Sequence, residues 1–175
     1  MLADEKIRLR ALEPTDLDVL FAWENDASLW TVGSTIAPFS RKQLWDYIEN
    51  YDNDIFSARQ LRFMIENKEN GEAIGMADLY DFDPINNRAF VGILVDNKWG
   101  NKGYGTRALQ ILCDYAHQAI AMHQLVALVP VKNEFSRRLF AKCKFEETVL
   151  LKDWIIVGST FQNVVVYQQN LDITD

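Results

Sequence analysis

No apolar run in this chain approaches the roughly 18 residues needed to cross a bilayer, and its opening Met1-Leu-Ala-Asp-Glu-Lys6 is charged where a secretory signal would be apolar. Cysteine is scarce as well. Cys113 and Cys143 form no Cys-x-x-Cys pair, and the two histidines, His117 and His123, share no ligand spacing with each other or with carboxylates, so neither a disulfide framework nor a metal site is expected. Basic charge is in deficit, with 18 Lys and Arg against 25 Asp and Glu and a formal net charge of -7. That balance repels phosphate backbones and favours cationic partners such as amines, which argues against nucleic acid as a ligand. Internal repeats, low-complexity tracts and Pro/Gly/Ser linkers are missing too. The expectation is a single domain over residues 1–175, soluble and cytoplasmic, with no membrane partner.

What is present is a sequence of alternating hydrophobic periods. Residues 7–11 alternate like a strand, and Thr15 is expected to cap a helix carrying Leu17, Leu20 and Phe21 on one face. Ser40 is expected to cap a second helix through Leu44, Trp45 and Ile48, ending near residues 50–54. Residues 61–66 and 72–79 read as strands joined through Asn70-Gly71, and residues 88–95 as the next strand. Ala108, Leu109, Leu112, Cys113, Ala116 and Ile120 make the apolar stripe of a helix, after which residues 125–129 form an apolar strand. Strand, helix and strand in that order require a right-handed crossover and parallel pairing, unlike the hairpins before them. A helix over residues 133–142 and two strands, 148–157 and 164–169, complete a mixed sheet.

The chemistry centres on Gly100-Asn-Lys-Gly103-Tyr-Gly105, set between a strand ending at Val95 and a helix starting near Thr106. The unpaired N–H groups of a helix's first turn attract anions, glycines allow positive φ and close backbone approach, and Lys102 adds a cation. A pyrophosphate fits that description. A P-loop would need Gly-Lys-Ser/Thr at its end, and the dinucleotide fingerprint would need Gly-x-Gly-x-x-Gly, so both match poorly. A glycine-rich helix cap without a ligand stays open on the local pattern alone.

Val95-x-x-x-Trp99 followed by x-x-Lys102-Gly-Tyr-Gly105 and an amphipathic helix resembles the coenzyme-A-binding motif of the GNAT superfamily of N-acetyltransferases. Asn133-Glu-Phe-Ser136 through Phe140-Ala-Lys142-Cys-Lys-Phe145 is similar to that superfamily's next helix. The ending Trp154 to Tyr167 is similar to the last hairpin of the branch holding ribosomal-protein N-terminal and spermidine acetyltransferases. The resemblance implies an α/β fold of mixed α+β kind. Its sheet would be central, mixed and mostly antiparallel, of about seven strands, splayed between the fourth and fifth and flanked by about four helices. It implies acetyl-CoA as acyl-donor cosubstrate. Contacts would come from Ile93, Leu94, Val95, Gly100, Asn101, Lys102, Gly103, Tyr104, Gly105, Thr106, Asn133 and Lys142, and no metal would be needed. The acceptor would be a small-molecule or peptide amine, with dimerisation through the last strands.

Transfer from a thioester to an amine requires a neutral amine, donors for the developing oxyanion and help for the departing thiolate. The superfamily's glutamate position on the fourth strand is Phe90 here, so Asp78 on the facing strand is the candidate base, with Asp81 behind it. The superfamily's tyrosine acid falls at Phe140, which makes Ser136, one turn earlier, the candidate partner for the thiolate. The alternative for Asp78 is a solvated or hairpin-stabilising carboxylate, and for Ser136 local capping. Cys143 reads as a buried structural thiol. Trp23, Trp30, Trp45 and Tyr47 pack between helices or line an acceptor groove, and loops 32–39 and 81–87 would set acceptor specificity. Direct transfer through a ternary complex is the favoured function, and a non-catalytic acyl-CoA-binding module is the alternative.

Overall fold

In a computed structural model, residues 2–26 and 37–171 are described. The strands are β1 (Ile7–Arg10), β2 (Leu61–Asn67), β3 (Ala73–Asp83), β4 (Arg88–Val95), β5 (Gln124–Pro130), β6 (Glu146–Val157) and β7 (Thr160–Asn170). The helices are α1 (Leu17–Glu24), α2 (Arg41–Glu49), α3 (Ile55–Ala58), α4 (Tyr104–Ile120) and α5 (Glu134–Lys142). All seven strands join one sheet in the order β1-β2-β3-β4-β5-β7-β6. Every pairing is antiparallel except β4 with β5, the pair bridged by the α4 crossover.

Side-chain alternation divides the core between the two faces of the sheet. Ala77, Leu79, Ala89 and Val91 face α4, where they meet Ala108, Leu109 and Leu112. Met64 and Met76 face the other way and pack with Leu20 and Trp23 of α1 and with Leu44 and Ile48 of α2. Strands β2 and β3 are therefore packed against apolar side chains on both faces.

Several local expectations change. Thr15 caps no α-helix: it lies in a 3-10 turn over Pro14–Asp16 that leads into α1. Asp16 holds the N-cap position of α1 but caps none of its N–H groups: its carboxylate accepts the Glu13 N–H at 2.9 Å and both Arg10 Nη groups at 2.7 Å, which also explains how an aspartate comes to be buried there. Ser40 caps α2 as expected, with Oγ accepting from Gln43 N–H and Gln43 Oε1 accepting from Ser40 N–H at 2.8 Å. α4 begins at Tyr104, two residues before the expected start near Thr106, because Gly103 at φ 82 turns the chain directly into it. Helix α3 brings the count among the described residues to five. A single turn capped by Asp54 is too short to show a helical period.

Candidate active site

β4 and β5 pair only at Arg88↔Gln124, Ala89↔Leu125 and Phe90↔Val126, although both strands run on to Val95 and Pro130. Beyond Phe90 they diverge, so alternate backbone N–H and C=O groups of residues 91–95 face a gap instead of a neighbouring strand. Gly75 of β3 supports this stretch closely: a Cβ there would fall 2.1 Å from the Leu94 carbonyl oxygen, so only glycine lets β4 lie against β3 at the opening. Two cavities meet in the gap. A groove of about 610 Å³ is walled by Ile93, Leu94, Val95, Gly100, Asn101 and Asn133, with Lys132 at its side. A cavity of about 570 Å³ on the α1/α2 side shares Ile93, Leu94, Asn133 and Ser136 with it.

The groove runs toward the glycine turn. Asp96 caps a 3-10 turn over Asn97–Trp99, then Asn101 at φ 58 and Gly103 at φ 82 rotate the backbone into the N-terminus of the 17-residue α4. A Cβ at Gly103 would meet nothing within 4 Å, whereas one at Gly105 would meet Leu139 and Val95 side chains at 3.6 Å. The two glycines thus differ in role. Gly103 supplies a left-handed backbone facing open space, and Gly105 lets α4 pack against α5 and β4. Lys102 Nζ lies 4.6 Å from the centroid of the Trp99 ring, which is packed edge-on against Tyr104 at 5.7 Å. Trp99 in this way anchors the cation beside the helix N-terminus.

Residues 6–146 match the model of the GNAT acetyltransferase domain. The chain belongs to the GNAT acetyltransferase family. It is 32% identical to the uncharacterized N-acetyltransferase p20 of Bacillus licheniformis over 155 residues, 87% of this chain and 86% of that one. It is 26% identical to spermidine N(1)-acetyltransferase of Escherichia coli K12 over 166 residues, 94% of this chain and 86% of that one. Its fold matches the crystal structure of Vibrio cholerae spermidine N-acetyltransferase in complex with CoA and spermine, with TM-score 0.87 and 21% identity over 96% of this chain and 97% of that one. As in other GNAT acetyltransferases, acetyl-CoA is the acyl donor. The parting of β4 from β5, the outward-facing amides at the start of α4 and the open space over Gly103 suit a pantetheine arm and a pyrophosphate. When bound, acetyl-CoA supplies the thioester carbonyl that an amine attacks.

On the α1/α2 side, this GNAT domain holds charged groups in the cavity. Arg62 donates from Nε and Nη2 to the two oxygens of Asp78 at 2.9 Å each, and from Nη1 to Glu24 at 2.8 Å. Burial alone would lower the Arg62 pKa, but the adjoining Asp78 charge outweighs it and raises the guanidinium above its ordinary value. Two carboxylates around one guanidinium leave the cluster net anionic. Tyr47 lies against Arg62, its ring centroid 5.7 Å from the guanidinium carbon, and Tyr80 stacks on Phe90 at 5.5 Å. Burial pushes each of these phenols up to about 12, so both are neutral hydrogen-bonding groups at physiological pH.

The residues singled out in the sequence divide by position. Ile93, Leu94, Val95, Gly100, Asn101, Asn133 and Ser136 come together at the groove, and Asp78 faces the adjoining cavity. Lys102, Gly103, Tyr104, Gly105 and Thr106 form the turn and helix start at its end. Lys142 stands apart: it is exposed in the last turn of α5, while Asn133 and Ser136 line the groove at the other end of that helix. Asn133 caps α5 by accepting the Ser136 N–H at 3.0 Å, so the cap is made by Asn133, and the Ser136 hydroxyl has no hydrogen-bond partner among the described residues. Phe140 is buried, stacked 6.1 Å from Tyr167 and edge-on to Phe145 at 5.1 Å. Both cysteines are buried and free, and burial pushes the Cys143 thiol up to about 11, which suits the structural reading. Trp30 and residues 32–36 lie outside the described residues. Among the described residues, no group of three His, Cys, Asp or Glu could hold a metal ion, and no helix is long and apolar enough to cross a membrane.

Sequence reasoning missed Glu24, Arg62 and Lys132. Arg62 and Asp78 are cross-strand partners, a pairing that could be read only with the β2–β3 register in hand. Lys132 had a local signal, since it immediately precedes the helix-capping Asn133 beside the groove.

Proposed function

We propose that this acetyltransferase modifies a primary amine of polyamine type, which enters from the α1/α2 side and meets the thioester between β4 and β5. The continuity of the two cavities through Ile93, Leu94, Asn133 and Ser136 carries this reading, because it gives an amine a path to the acyl group without opening the sheet. The anionic Glu24–Arg62–Asp78 cluster supports a multiply charged acceptor over a singly charged one. Glycine-turn amides, Lys102 and Lys132 hold the diphosphate, and outward-facing amides of residues 91–95 hold pantetheine and polarise the carbonyl.

An alkyl ammonium has a pKa near ~10, so it must lose a proton before attack. Asp78 keeps lone pairs beyond those engaged by Arg62 and accepts that proton. The amine nitrogen then forms a bond to the carbonyl carbon, the C–S bond breaks, and the second nitrogen proton passes to solvent. The leaving thiol has an intrinsic pKa of about 8.5, so its thiolate departs with only a hydrogen bond from the Ser136 hydroxyl. A tyrosine at position 140 is not required. Free-thiol release with spermidine, a peptide α-amine and a monoamine tests the reading. Spermidine should show the highest kcat/KM, Ser136→Ala should lower kcat about tenfold, and Asp78→Asn should lower it further. Release that is absent with all three amines, or unaffected by Asp78→Asn, refutes it.

The same proposal places the enzyme in a reducing cytosol, where two buried free thiols persist. It also assigns self-association to the β6–β7 hairpin. β6 is an edge strand that exposes Leu150 and Ile156, and Phe161 of β7, the cross-strand partner of Ile156, is exposed beside it. Light scattering should report an oligomer that Ile156→Lys disperses.

A further inference from the structure

Trp23 is 5% exposed and packs among Leu44, Ile48, Met64 and Met76, yet its indole N–H leaves this apolar cluster to donate to Asp96 Oδ2 at 2.9 Å. The other oxygen of the same carboxylate accepts the Lys98 N–H at 3.0 Å and so caps the 3-10 turn that opens the glycine loop. The Asp96 backbone is fixed as well: its N–H donates to the Ile74 carbonyl at 2.9 Å, and its carbonyl accepts from Trp99 N–H at 2.8 Å. One carboxylate therefore joins α1, a wall of the acceptor cavity, to the start of the phosphate-binding turn. No apolar contact requires this bond. A phenylalanine would fill most of the same volume, and the indole N–H is the feature it lacks.

We propose that Trp23 and Asp96 together are positioning residues for coenzyme A, with the indole–carboxylate bond holding the pyrophosphate turn in its binding conformation from the acceptor side of the sheet. The turn depends on an external hold because it contains two positive-φ residues, Asn101 and Gly103, and its residues 101–103 are exposed. A bond anchored in the α1/α2 core limits the conformations open to the turn before the cofactor arrives, which lowers the ordering cost of binding. The inference rests on the proposed assignment of that turn to coenzyme A.

Asp96→Asn separates the two halves of the bridge. Asparagine keeps an oxygen for the Lys98 N–H and turns an amide NH₂ toward the indole N–H, so the cap survives and the link to α1 does not. Calorimetric titration with coenzyme A should show about tenfold weaker binding in Asp96→Asn and in Trp23→Phe, and the double variant should bind no more weakly than the single ones. In turnover the loss should fall more on KM for acetyl-CoA than on kcat. Wild-type affinity in Asp96→Asn, or losses that multiply in the double variant, would overturn the proposal. Should Trp23→Phe fail to fold, Asp96→Asn decides alone. Gly103→Ala run alongside separates the two readings: lost binding there with wild-type binding in Asp96→Asn sinks only the link, whereas wild-type binding in both sinks the assignment of the turn.

Discussion

Replacing Gly103 by alanine tests the glycine turn because the structure separates two costs that usually arrive together. The backbone there sits at φ 82, so any L side chain is strained, by roughly 1–2 kcal/mol. The added methyl group would touch nothing within 4 Å, so no steric clash adds to that strain in the free protein. At about 2–4 °C per kcal/mol for a chain of this size, the melting temperature should fall by several degrees. Coenzyme A faces a different cost, since the methyl occupies the open space through which a phosphate would approach the first amides of α4. Losing one charge-assisted backbone contact costs about 1.5–3 kcal/mol, or some ten- to a hundredfold in affinity. Gly71 at φ 71 provides a control, because a Cβ there also meets nothing and neither it nor its chain neighbours line the groove. Gly71→Ala should lose comparable stability and bind coenzyme A normally by calorimetry. If Gly103→Ala binds as that control does, the turn does not hold the pyrophosphate.

Arg62→Met should destabilise the fold by about 3–5 kcal/mol, because it leaves Glu24 and Asp78 without their shared cation, and Asp78→Asn in the same chain should recover part of the loss in thermal melts. Alkaline conditions should expose the tyrosines. Burial raises Tyr47 and Tyr80 from 10 to about 12, so the unfolded chain releases those protons first and stability, complete below pH 10, falls as pH rises toward 12. Tyr47→Phe with Tyr80→Phe should flatten that decline in melting temperature between pH 9 and 11, and phenolate absorbance should show two fewer late-titrating groups.

The parts of the fold visible in the sequence are those where a single element carries its own period. The α4 stripe from Ala108 to Ile120, the Ser40 cap with Gln43, and β4 over Arg88–Val95 each stand where local pattern places them. β6 was harder to delimit. None of its twelve residues is buried, so no inward-outward alternation marks where the strand begins. Its register with β7 also shifts twice, between Glu147 and Val149 and between Leu151 and Ile155, which breaks any steady period. Thr15 misled for a different reason: a hydroxyl before an apolar run is a valid capping signal, but Pro14–Asp16 winds into a 3-10 turn that moves the N-cap position of α1 on to Asp16, whose carboxylate is held by Arg10 and the Glu13 N–H.

At the site, legibility follows whether a function belongs to backbone or to side chains in register. A turn that binds through main-chain amides announces itself by glycine spacing, since no other residue tolerates φ 82 at Gly103 cheaply. The parallel pairing of β4 with β5 likewise follows from the α4 crossover, whereas their parting beyond Phe90 was implied only by the family resemblance. The acceptor cavity is assembled differently. Glu24 comes from α1, Arg62 from β2 and Asp78 from β3, and nothing in the spacing of three charges along the chain says that two of them will share the third. Asp78 could be nominated from its strand, but its partner could not, and the partner decides its chemistry. A lone carboxylate would offer only a base, whereas one clamped by Arg62 beside Glu24 also belongs to an anionic surface, the feature on which the proposed preference for a charged amine rests. Under the proposed assignment, acceptor specificity would therefore be written in cross-strand and helix-to-sheet contacts, and cofactor binding in local backbone geometry.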